Sequence, residues 1–86
     1  MKRTKLEEEY QKKRRRLISQ KDWKTLLDLC DRLIEEEISP KRYCGRASIY
    51  HLMGHSNKAL SDYKIALEMD SKCGAAQRGI EKILDI

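Results

Sequence analysis
The chain contains no Phe, one Pro, four Gly and no two cysteines spaced as CxxC. So few turn formers, without Phe, argue against an all-β domain built from short strands and frequent tight turns. There is no Gly-rich phosphate loop, no nucleophile elbow and no paired-ligand metal motif. The usual sequence signatures of nucleotide, acyl-transfer and metal chemistry are therefore missing, and neither catalytic residues nor a cofactor are expected. No stretch approaches the roughly 20 apolar residues of a membrane span, and the amino-terminal segment has no apolar secretory core. The expectation is a cytoplasmic protein without membrane contact, with the nucleus left open. Cys30, Cys44 and Cys73 are odd in number and far apart, which suits small, mostly buried thiols better than a disulfide framework.

What is present favours helices. The 86 residues carry 19 Lys plus Arg against 14 Asp plus Glu, a net +5, with 38% of positions charged. Leu, Lys, Arg and Glu are abundant, all good helix formers. This length makes one domain, residues 1–86, and a chain of this size hides only roughly 60–65% of its unfolded surface, which leaves a small stability margin. Charge is unevenly distributed: residues 1–24 hold ten basic and four acidic side chains, whereas residues 25–40 hold one basic and five acidic. The basic excess thus sits mainly at the amino terminus.

Apolar spacing predicts about five helices. The first runs from Lys2 to about Ile18 on a thin stripe of Leu6, Tyr10 and Leu17. Asp22 is a candidate N-cap for residues 23–37, where Trp23, Leu26, Leu27, Cys30, Leu33 and Ile34 share one face. Exposing those six groups would cost on the order of 1.5–3 kcal/mol each, so the face must be covered. Ser39-Pro40 reads as an N-cap followed by Pro at the first helical position. Tyr43, Ala47, Tyr50 and Met53 form the stripe of residues 40–53, which Gly54 ends by adopting the left-handed conformation. Ser56 is the expected cap of the next helix, with Ala59, Leu60, Tyr63, Ala66 and Leu67 inward. A last helix over 73–85 carries Ala76, Ile80, Ile83 and Leu84 on or near one face. Short turns predict antiparallel neighbours.

The pattern recurs. Shifted by 33 residues, Leu26, Leu27, Cys30, Leu33 and Ile34 fall on Ala59, Leu60, Tyr63, Ala66 and Leu67, and a helix pair with this period marks a helical repeat. Residues 43–71 resemble a tetratricopeptide repeat (TPR). Tyr43 stands at the opening aromatic position, Ala47 at the small contact residue, Tyr50 at the next aromatic and Gly54 at the turn. Ala59, Tyr63 and Ala66 match the second helix. Residues 6–38 resemble a degenerate preceding repeat, with Arg14 in place of the small contact residue, so that its two helices are expected to splay or slip. Residues 40–71 are the good repeat and 73–85 the capping helix. The resemblance implies an all-α fold of antiparallel helix-turn-helix repeats, a short α-solenoid. Such an array is marginal by itself and leaves a homo-oligomer open.

The resemblance also implies a concave groove lined by the first helix of each repeat. The implied partner-binding residues are Arg15, Lys41, Cys44, Ser48, His51, Arg78 and Lys82, with Glu8 and Gln11. A groove so basic favours an acidic segment. Gly45 and Gly79 replace an Asn and an Arg of the clamp with which part of the family holds chaperone tails, so that ligand is not expected.

Two other groups of residues bear on chemistry. Cys44, His51 and His55 would share a helical stripe, but Gly54 breaks it before His55, and no metal site is expected. Lys12, Lys13, Arg14, Arg15 and Arg16 wind around a helix instead of forming one face. Glu8 and Glu9 precede Lys12 and Lys13 by four residues and suit a solvated, paired helix. The same run is the candidate phosphate-binding segment. Two readings result: a non-catalytic protein-interaction adaptor that takes an acidic peptide or helix in its groove, or an accessory protein of a large ribonucleoprotein that binds RNA phosphate through its first helix.

Overall fold
A computed structural model describes residues 3–86. The described residues form five α-helices: α1 Lys5–Ser19, α2 Trp23–Glu36, α3 Pro40–Leu52, α4 Ser56–Met69 and α5 Gly74–Leu84. Turns of three or four residues join them. Each helix packs on the next, α5 also touches α3, and the whole is 34 × 30 × 16 Å. Helix axes pack 8–10 Å apart, so the thin dimension is about two helices deep. The arrangement is consistent with a short helical repeat.

The caps follow local chemistry. Asp22 and Ser39 accept from the backbone N–H groups of Thr25 and Arg42, and Pro40 opens α3, as the sequence predicts. Gly54 has φ +84°. Its N–H donates to the His51 carbonyl and that of His55 to the Tyr50 carbonyl, which closes α3. Several boundaries differ from expectation; α2 and α3 end one residue early, at Glu36 and Leu52. The first helix begins at Lys5, because the Thr4 hydroxyl accepts from the Glu7 N–H; Lys2 lies outside the described residues. Ser56 is already helical, and His55 precedes it without a side-chain cap bond. The last helix spans Gly74–Leu84, not 73–85.

Two buried clusters form the core. The first joins α1, α2 and one residue of α3: Tyr10, Leu17, Leu26, Leu29, Cys30, Leu33 and Ile49. The second joins α3, α4 and α5: Cys44, Ala47, Ala59, Tyr63, Ala66 and Ala76. Ala47, Ala59 and Ala66 are completely buried, which lets α3 and α4 approach closely. Gly79 does the same for α5, since a Cβ there would stand only 2.2 Å from the Tyr63 ring. Leu29 and Ile49 are buried although the expected stripes omit them, whereas Leu27 and Trp23 are half-buried and Leu84 is exposed.

Arginines on α3 link the elements. The buried Arg42 donates to the Leu33 carbonyl and the Glu7 carboxylate, and its guanidinium lies 3.1 Å from Glu36. Arg46, one turn on, holds the buried Asp62 of α4 with two bonds of 2.8 and 2.9 Å and reaches Asp31 of α2 at 2.9 Å. Its guanidinium also lies 5.5 Å from the centre of the Tyr43 ring and 6.0 Å from that of Tyr50.

Ala47→Leu should overpack the α3–α4 contact and cost roughly 1–3 kcal/mol, read as a lower melting temperature; an unchanged melting curve would contradict this packing. The Arg42 hydrogen bond holds the Glu7 carboxyl below the usual carboxylate range. A group depressed in the folded state stabilises above its unfolded pKa, and that stabilisation is lost as pH falls through the folded value. Urea unfolding between neutral pH and about pH 3 should therefore show an acid loss of stability that Glu7→Gln makes shallower.

Candidate functional site
Three of the helices, α1, α3 and α5, contribute most of a continuous basic surface with two adjoining hollows. The first, about 310 Å³, is lined by Glu7, Gln11 and Arg14 of α1 and by Lys41, Arg42, Gly45 and Ser48 of α3, over a floor of Tyr10, Cys30 and Leu33. It opens because no Cα of α1 comes within 8 Å of one of α3 among the described residues. Arg14, 33 residues before Ala47 in the sequence, lines this gap. The second hollow, about 420 Å³, lies between α3 and α5 and is lined by Arg14, Ser48, His51, Leu52, Tyr63, Ala75, Arg78, Gly79 and Lys82. Arg14 and Ser48 belong to both.

The charges are one-sided. Arg42 is engaged by Glu7 and Glu36. Arg14, Lys41, Arg78 and Lys82 make no ion pair among the described residues. Among the described residues two side-chain polar atoms are buried without a partner, the Tyr10 hydroxyl and His51 Nδ1, whose residues line the first and the second hollow. Burial pushes the Tyr10 phenol up, so it remains a hydroxyl and a donor.

Of the residues expected to line a groove, Gln11, Lys41, Ser48, His51, Arg78 and Lys82 line the two hollows. Three do not. Glu8 is exposed on α1 and lines neither. Arg15 is exposed, and its neighbour Arg14 takes the place assigned to it. A one-residue step rotates a helical side chain by about 100°, so a small error in the register of the degenerate repeat decides which arginine faces inward. Cys44 is buried in the second core cluster, its thiol 3.8 Å from that of Cys73. It also cannot join a metal site with His51 and His55, because His55 lies past the end of α3 and stacks on Tyr50. Among the described residues no three His, Cys, Asp or Glu side chains gather as metal ligands.

Within the amino-terminal basic run, Lys12, Arg15 and Arg16 are exposed, Lys13 pairs with Glu9 at 3.1 Å, and Arg14 turns toward the groove. No helix among the described residues is long and apolar enough to cross a membrane. Comparison with protein-family models, curated proteins and solved structures finds no match for this chain.

Burial raises the Cys30 thiol to about 11 and, with its neighbour Cys73, the Cys44 thiol to about 12. Cys73 is half-buried. A maleimide should label Cys73 first, and Cys30 and Cys44 only as the protein unfolds. Mass-spectrometric mapping of native labelling checks this; early modification of Cys44 would contradict its core position.

Proposed function
We propose that this chain is a non-catalytic adaptor of tetratricopeptide type that holds an acidic peptide or helix of a protein partner in the groove of α1, α3 and α5. The observation that carries the reading is the meeting of Arg14, Lys41, Arg78 and Lys82, unpaired and drawn from three helices, along two adjoining hollows. Such a surface attracts negative charge, and its depth gives a bound segment apolar contact with Tyr10, Leu33 and Tyr63. The sequence resemblance supports the same reading, because it assigns the ligand groove to these helices.

A second reading rests on the exposed Lys12, Arg15 and Arg16: an accessory role on a ribonucleoprotein, with α1 against RNA phosphate. Salt separates the two, since phosphate-backbone binding falls steeply as salt rises.

Fluorescence anisotropy with a labelled, glutamate-rich helical peptide carrying Leu at helical spacing tests the groove. Lys41→Glu with Arg78→Glu should weaken binding about tenfold or more, whereas Lys24→Glu with Lys64→Glu should leave it nearly unchanged. Both pairs alter net charge equally. Equal losses, or tighter and steeply salt-dependent binding of a short single-stranded RNA, would favour the RNA reading.

A further inference from the structure
The two hollows differ in their charge balance. Glu7 contributes a carboxylate to the hollow between α1 and α3, where Arg42 engages it. No acidic side chain lines the hollow beside α5, yet Arg14, Arg78 and Lys82 all do. His51 lines this hollow too, although its Nδ1 is buried without a hydrogen-bond partner among the described residues.

The backbone is shaped to make this space. Gly79 lets the Tyr63 ring form the floor. Gly74 leaves room for the Arg78 guanidinium, which folds back over the first turn of α5; a Cβ on Gly74 would lie 3.0 Å from one of its nitrogens. Three cations around one small hollow repel each other, and a single carboxylate can offset only one of them. A phosphoryl group carries about −1.5 to −2 charges at neutral pH and three acceptor oxygens, enough to engage several cations at once. Arginine also suits it geometrically, with paired N–H donors in one plane.

We propose that the hollow between α3 and α5 binds a phosphoryl group carried on a phosphorylated Ser or Thr of the partner's acidic segment. Arg78 and Lys82 hold it from α5 and Arg14 from α1, with the His51 side chain of α3 beside it. The peptide part of this assignment rests on the groove reading above; the phosphoryl part rests on the lining of the hollow.

The test has two arms. In the first, the isotope-labelled full chain is titrated by NMR with N-acetyl-O-phosphoserine N-methylamide, with its glutamate counterpart and with inorganic phosphate. In the second, the glutamate-rich peptide is compared with the same peptide carrying one phosphoserine. The phosphoserine compound should shift the Ser48, Ala75 and Gly79 amides saturably, and each phosphorylated probe should bind about tenfold more tightly than its unphosphorylated counterpart. Arg78→Gln with Lys82→Gln should abolish that preference and Lys64→Gln should keep it; all three side chains are exposed, so the helical fold should survive.

Equal binding of the phosphoserine and glutamate probes, or shifts elsewhere, would overturn the phosphoryl assignment; the groove reading then stands or falls on the unphosphorylated peptide. Saturable phosphoserine shifts without binding of either peptide would support the hollow as a phosphoryl site and remove the peptide partner. Inorganic phosphate binding as tightly as the phosphopeptide, or a short RNA displacing it at lower concentration, would also overturn the assignment to a phosphorylated protein.

Discussion
Two arginines one turn apart on α3 hold the helices in register. Arg42 reaches Glu7 on α1 and both the Leu33 carbonyl and Glu36 on α2, while Arg46 reaches Asp31 on α2 and Asp62 on α4. Neither of the two apolar clusters spans all five helices. The backbones of α1 and α3 do not approach, so the Arg42–Glu7 pair and the packing around Ile49 connect them. A buried ion pair adds little net stability compared with apolar residues of the same shape. Leaving one member unpaired, however, costs about 3–5 kcal/mol. Arg46 and Asp62 therefore penalise any packing in which α4 slides along α3.

The same network sorts the charges. The acidic segment 25–40 lies on α2 and the turn after it, and Asp31 and Glu36 bond to the arginines of α3. Asp62, the acidic residue of α4 nearest these arginines, is taken by Arg46. Carboxylates are thereby drawn into the junctions between layers. Arg14, Arg78 and Lys82 are left around the hollow beside α5 with no carboxylate in its lining, while Lys41 shares the other hollow with Glu7, although the chain as a whole is only moderately basic. The groove's potential thus follows from where the acids are held as much as from where the bases stand.

The two ends of the groove are built from different mismatches in packing. At the α1 end, Arg14, 33 residues before Ala47 in the sequence, lines the hollow where the helices part. At the α5 end, Gly79 allows close approach to Tyr63, and the hollow is shaped by missing side chains. The first gap brings a carboxylate, Glu7, to its lining, and the second brings none.

Helix number, most boundaries and the small contact residues were legible in the sequence. They depend on local chemistry: a 3.6-residue apolar period, Asp22 and Ser39 as caps, Pro40 at a helix start and Gly54 at an end. The helical spacing also puts Gln11, Lys41, Ser48, His51, Arg78 and Lys82 on the faces that line the two hollows. The remainder depended on neighbours. Cys44 left the groove for the core because Cys73 and α5 cover it, and Arg14 replaced Arg15 because a one-residue step turns a side chain by about 100° around the helix. Glu36 and Arg42 stand only six residues apart across the α2–α3 turn, and the structure joins them. Arg46 offered no such signal, since Asp31 and Asp62 lie 15 and 16 residues away on either side. Local sequence determined which residues form helices and which faces are apolar. Only the tertiary structure decided which charges meet, because pairing depends on the rotation and spacing of packed helices, which neighbours in the sequence do not fix.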